Sequence, residues 1–134
     1  MTSAYADDLL AEACRDHGHG TLVSPRLTTR RANPLCGDEI ELDVDHDGTR
    51  VTAVAQRTRG CSFTRAAASL LARSVTGLTL PHARDVVTNL RRDLGGTAPL
   101  PADFAELAAV RMYPARTRCA LLPFEALGSA LAEA

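Results

Sequence analysis

Glu39 to Arg59 is the stretch that most constrains the fold. Ile40, Leu42 and Val44 alternate with Glu39, Glu41, Asp43 and Asp45, the period-2 pattern of a strand with one apolar face and one wet face. His46-Asp47-Gly48 follows, and Asp-Gly is a strong signal for a tight hairpin turn. Arg50 to Arg59 then returns as the partner strand, with Val51, Ala53 and Ala55 directed inward. The start of the first strand of an antiparallel pair lies beside the end of the second, so this hairpin carries Asp38 and Cys61 to one edge. The acidic face opposes Arg50 and Arg57, giving cross-strand charge pairs worth at most about 1 kcal/mol each.

Asn33-Pro34-Leu35-Cys36-Gly37-Asp38 leads into the hairpin and puts a thiol and a carboxyl two residues apart on a turned loop. Pro34 fixes its own φ and pushes Asn33 towards extended geometry, while Gly37 accepts the positive φ that brings both side chains to one side. Cys61 closes the hairpin and opens a helix, where unpaired N–H groups and the dipole favour thiolate over thiol. Cys119 lies ahead of the last helical stretch. Cys36, Asp38, Cys61 and Cys119 are therefore the candidate ligands of one metal site. Three thiolates and a carboxylate suit tetrahedral Zn2+, and soft sulfur disfavours Mg2+ or Ca2+. The spacing is not that of a zinc finger or ribbon, which leaves buried structural cysteines as the alternative.

The rest of the chain reads as helices. Residues 5 to 16 place Leu9, Leu10, Ala13 and Cys14 on one stripe, with Cys14 as a small buried thiol and Gly18 and Gly20 ending the helix. His17 and His19 fall in the loop that follows and read as surface histidines. Residues 22 to 31 give a short edge strand with Val23, Leu27 and an early Pro25. Beyond Cys61, a helix from Ser62 to Ser74 packs Ala67, Leu70, Leu71, Val75 and Leu78, with Ser62 or Thr64 as cap and Gly77 at its end. Pro81 to Leu94 is a second helix, Ala102 to Val110 a third, and Pro123 breaks the Cys119 segment or starts a final helix through Phe124, Leu127 and Leu131.

At 134 residues with 46% hydrophobic content, the expectation is one domain over residues 1–134 with a real core. Net charge is -1, so nothing argues for a nucleic-acid partner, and the clusters Arg30-Arg31 and Arg91-Arg92 read as solvated faces. No run of 18 apolar residues occurs and Met1 to Leu10 has two aspartates and no basic residue, so neither a membrane partner nor a leader is expected. The expected location is cytoplasmic, where four cysteines favour metal or sulfur chemistry over disulfides.

Ala32-Asn33-Pro34-Leu35-Cys36-Gly37-Asp38, Gly60-Cys61-Ser62-Phe63-Thr64 with Ala66-Ala67-Ala68-Ser69, and Tyr113-Pro114-Ala115-Arg116-Thr117-Arg118-Cys119-Ala120 together resemble the three signature segments of the IscU-like (NifU N-terminal) iron–sulfur cluster scaffold family. They are similar in particular to its SufU branch, because Arg118 stands where classical scaffolds carry a histidine and the Cys61–Cys119 interval is long. The resemblance implies an α+β fold, a small antiparallel sheet of about three strands packed by about five helices, with the metal site at one end. It implies zinc, with iron or a [2Fe-2S] cluster as the alternative cofactor, and a SufS-like cysteine desulfurase as partner, with downstream SUF scaffold proteins beyond it. Cys36 would receive persulfide sulfur, and Arg116 would hold Asp38 once it leaves the metal. The alternatives are a [2Fe-2S] scaffold and a purely structural zinc module. The chain departs from the family at Gly18-His19-Gly20-Thr21, in place of a basic segment, and at Arg65, which bears on the identity of the desulfurase.

Overall fold

Leu27–Asn33 (β1), Asp38–His46 (β2) and Val51–Arg59 (β3) form an antiparallel sheet in the order β1-β2-β3. This is a computed structural model, and it describes residues 4–134, with side chains from Asp8 onward. Four α-helices, α1 (Ala4–Arg15), α2 (Ser62–Val75), α3 (Leu80–Asp93) and α4 (Thr117–Leu131), and a 3-10 helix over Ala102–Met112 make up the five expected helices. Ile40, Leu42 and Val44 are buried on one face of the sheet, against which α2 and α4 pack. Most of the described buried apolar residues form one contiguous cluster, with Leu70, Leu71, Phe124, Leu127 and Leu131 among its fully enclosed members. Burial of each such side chain contributes about 1.5–3 kcal/mol. Nearly the whole circumference of α2 is buried, because its Ala66-Ala67-Ala68-Ser69 run lets the sheet, α1 and α4 approach from different sides.

Several elements differ from the sequence expectation. The strand expected over 22 to 31 begins only at Leu27, and Val23 is 93% exposed. Ser24 at φ 51 and the donor-less Pro25 turn the chain there, and the residues before them lie along β3 instead: Gly20 N–H donates to the Gln56 carbonyl and Gln56 N–H to that of Gly18. The outer face of β2 is not uniformly wet, since Asp43 is buried. Its carboxylate accepts from Arg57 Nη1 and Nη2 at 3.0 and 3.1 Å, Thr28 Oγ1 at 2.9 Å and Leu22 N at 3.1 Å. Arg57 pairs with the acidic row as expected and Arg59 joins it at Glu39, whereas Arg50, the other expected partner, donates to the Gly77 carbonyl. The return strand also switches face. His46 pairs with Val51 but Asp45 with Ala53, and the bulge at Thr52 puts Val54, Gln56 and Thr58 opposite Val44, Leu42 and Ile40, leaving Ala53 and Ala55 on the outer side.

Among the described side chains of α1, Leu9 and Ala13 face inward as expected, but Glu12 joins them, while Leu10 and Cys14 are exposed. A carboxylate occupies that face because cations and a hydroxyl meet it: Glu12 accepts from Arg73 at 3.0 Å, Arg15 at 3.2 Å and Ser69 Oγ at 2.5 Å. Residues 102–112 wind as a 3-10 helix rather than an α-helix, and Arg111 from its end donates to the carbonyls of Asp93, Leu94 and Ala98, anchoring it to the end of α3. Pro123 neither breaks nor starts a helix; it lies inside α4, where it cannot supply the N–H that the Cys119 carbonyl would otherwise receive.

Burial raises the Asp43 carboxyl, and the hydrogen bonds from Arg57, Leu22 and Thr28 outweigh that, so its pKa lies below the ordinary value. A depressed carboxylate stabilises the fold above its unfolded pKa, about 4, and that stabilisation is lost as pH falls through the lower folded value. Asp43→Asn therefore flattens the acid limb of a stability–pH profile, and Asp43→Ala, which strands Arg57, lowers unfolding free energy by about 2–4 kcal/mol in urea titration.

Candidate metal centre

Asn33 shapes the loop at the end of β1. Its carbonyl accepts from the N–H of Cys36 and Gly37, and its Oδ1 accepts from Leu35 N at 3.2 Å. Gly37, at φ 74, then reverses the chain into β2, so that Cys36 and Asp38 converge. The hairpin register places Glu39 opposite Arg59, which brings Cys61 to Asp38 as the sequence implied. Cys61 is the residue capping α2, in extended geometry, and its N–H donates to Asp38 Oδ1 at 3.1 Å. Neither Ser62 nor Thr64 caps the helix. Thr64, one turn in, instead donates its hydroxyl to Asp38 Oδ2 at 2.6 Å.

Asp38 is thus the hub. Cys36 Sγ lies 3.1 Å and Cys61 Sγ 3.7 Å from its Oδ2, and Cys36 and Cys119 sulfurs are 3.5 Å apart. Ligand atoms of Cys36, Asp38 and Cys119 all fall within 4.8 Å of one another. Cys61 stands at the margin of that group, its Sγ also 3.4 Å from Thr64 Oγ1. Gly60 has no room for a side chain: a Cβ there would lie 2.5 Å from Asp38 Oδ1. Cys36 is exposed, Cys61 half-buried and Cys119 buried. Burial raises the Asp38 carboxyl, but hydrogen bonds from Thr64, Cys36, Cys119 and the Cys61 amide hold its pKa below the ordinary value. The Cys119 thiol is pushed up to about 12, first by burial and then by its hydrogen bonds with Asp38 and Cys36. A divalent cation among these donors would reverse that preference. The donor set, sulfur with one carboxylate oxygen, fits Zn2+; the structure groups Cys36, Asp38 and Cys119 and leaves Cys61, the fourth residue expected from sequence, beside that group at 3.7 Å from Asp38 Oδ2.

Phe63 at the start of α2 packs against Tyr113 in a tilted pair, ring centroids 5.4 Å apart and planes at 44°, next to the turn Pro114–Arg116. Arg116 is exposed and its pKa is raised by the Cys119 sulfur first, then by the charges of Cys61, Cys119 and Asp38. Arg118 lines a cavity of about 290 Å³ with Asn33, Pro34 and Glu125, outside the cysteine group. His17 and His19 pair with Glu12 and Asp16. Thr64, Gly60 and the Phe63–Tyr113 contact were not assigned to the site from sequence; Thr64, one turn beyond Cys61 on a helix, was the available signal.

A small antiparallel sheet backed by helices, with three cysteines and an aspartate gathered where β2 begins and α2 starts, defines a thiol-and-carboxylate cluster on an α+β scaffold. The NifU-like N terminal domain family matches residues 5–120. The iron–sulfur cluster assembly scaffold protein IscU of Streptococcus pyogenes serotype M1 is 30% identical over 121 residues, 87% of this chain and 76% of its own. The zinc-dependent sulfurtransferase SufU of Bacillus subtilis (strain 168) is 26% identical, covering 98% of this chain and 95% of that protein. The crystal structure of the N-terminal part of a NifU-like protein from Brucella abortus superposes with a TM-score of 0.80 at 30% identity, over 96% and 92% of the two chains. This chain belongs to the NifU-like N-terminal domain family.

Thr64→Val removes the shortest hydrogen bond to Asp38, so the Asp38 carboxyl titrates at higher pH in metal-free protein followed by carbon-13 NMR. An unchanged midpoint would show that Thr64 does not control that carboxylate.

Proposed function

We propose that the chain is a zinc-dependent sulfur acceptor for a cysteine desulfurase in iron–sulfur cluster assembly, acting as a single domain in the cytoplasm, with Cys36, Asp38, Cys61 and Cys119 as zinc ligands. The observation that carries this reading is the asymmetry of the thiols: Cys36 alone of the site's three is exposed, on a turn, whereas Cys119 is 1% exposed on α4. A partner's persulfide can reach the first and not the last. Zinc held here would supply positive charge that keeps the sulfurs deprotonated.

The Cys36 thiolate attacks the outer sulfur of the partner's persulfide. The partner's S–S bond breaks, its cysteine leaves as thiolate, and the persulfide is then on Cys36, with no net oxidation. Thr64 and the Cys61 amide hold Asp38 in place throughout, and Arg116, facing Cys119, Cys61 and Asp38, balances negative charge when Cys36 swings outward. Leu35, 80% exposed beside Cys36, and the exposed Met112 and Tyr113 give the rim an apolar character suited to a protein partner. The relatives named SufU and IscU agree in family, and Arg118 in the place of a histidine favours the sulfur-acceptor reading over cluster assembly, since a guanidinium stays protonated and offers no nitrogen ligand.

Purified protein is expected to carry one zinc per chain by elemental analysis and to stimulate a cysteine desulfurase, and Cys36→Ala abolishes that stimulation and persulfide labelling. Full stimulation by Cys36→Ala would end the proposal, and visible cluster absorbance surviving desalting would favour the scaffold alternative. Arg116→Ala is expected to reduce stimulation by about 10-fold or more with zinc content unchanged.

A further inference from the structure

We infer that Cys36 and Cys119 form an oxidative modification site: when the chain is without metal, hydrogen peroxide closes them into an intramolecular disulfide that blocks metal uptake. The link needs only this pair of thiols and stands whether or not Cys36 accepts sulfur; the loss of metal uptake rests on both being ligands, as proposed above. The two sulfurs are 3.5 Å apart, and a disulfide requires about 2.05 Å, so little movement is needed. That movement is available on one side only. Cys36 sits on an exposed turn ending in Gly37, whereas Cys119 is fixed in α4 among Ala120, Leu121 and Leu122.

Exposure also sets the order of events. Cys36 reaches the peroxide first; its sulfur bonds to one oxygen, its thiol proton passes to the other, the O–O bond breaks and water leaves, giving a sulfenic acid. Cys119 sulfur then attacks Cys36 Sγ, the S–O bond breaks, and the departing hydroxide takes the Cys119 proton to leave as a second water. Two thiols are oxidised and one peroxide is reduced to two waters. Cys61 is left out because it is turned to Asp38 Oδ2 and Thr64 Oγ1, and its sulfur stands outside the group that shares 4.8 Å. Cys14, exposed on α1, belongs to a different face. Closure ties up two of the four donors, leaving Asp38 and Cys61, too few for a tetrahedral site. A thiol reductant reopens it.

The full-length chain is stripped of metal with a chelator, treated with one equivalent of hydrogen peroxide, and mapped by mass spectrometry without reduction. The expected product is a Cys36–Cys119 peptide pair lighter by two hydrogens, with stoichiometric zinc uptake lost and then regained after dithiothreitol. Cys61→Ser keeps the link, and zinc-loaded protein resists it. A Cys36–Cys61 link, links between chains through Cys14, or Cys36 sulfinate beside a free Cys119 thiol would each overturn the inference.

Discussion

The hydrogen bonds that converge on the Asp38 carboxylate are the constraint on which the rest of the site depends. One oxygen takes the Cys61 amide, the other the Thr64 hydroxyl and the Cys36 thiol, so a single side chain ties the first residue of β2 to the first turn of α2 and to the loop before it. Burying a carboxylate is unfavourable unless such donors are present. Here they are, and Gly60 leaves the space they need. The consequence is that the sulfurs are held near one another by the protein itself, so that a metal finds the donors assembled.

Rigidity beneath the site comes from charge as well as from apolar packing. Glu12, buried on α1, joins Arg73 and Ser69 of α2, and Arg73 reaches on to Glu106 of the 3-10 helix at 3.7 Å. Asp43 and Arg57 do the equivalent on the outer face of the sheet, where the loop carrying Leu22 is tied down. Removing one partner of such a group strands the other, which makes these networks costly to disturb although their net contribution is modest. They set α1, α2 and the sheet in fixed relation, and the cysteine cluster inherits that geometry.

Local pattern carried much of this. Alternation at Ile40, Leu42 and Val44 and the Asp47-Gly48 turn were enough to place Asp38 beside Cys61, and apolar spacing gave α2 and α3 to within a residue or two. What local pattern missed depends on partners far away in sequence. Glu12 faces inward because of Arg73, and Asp43 because of Arg57, so neither could be told from a solvated acid by its neighbours. The bulge at Thr52 inverted the assignment of Ala53 and Ala55, since a period-2 reading assumes an unbroken ladder. Thr64 looked like a helix cap because a cap and a hydrogen-bond donor to Asp38 need the same hydroxyl near the same helix end. Pro123 was read as a boundary, yet α4 continues through it with the residues on both sides enclosed in the core.

The central claim is that three sulfurs and one carboxylate oxygen share one ion. X-ray absorption at the zinc edge of the loaded protein tests it most directly. The account predicts a shell of three sulfurs at about 2.3 Å and one oxygen at about 2.0–2.2 Å, with the sulfur count falling to two in Cys36→Ser. A shell made only of oxygen and nitrogen, or a sulfur count indifferent to Cys36, would contradict it.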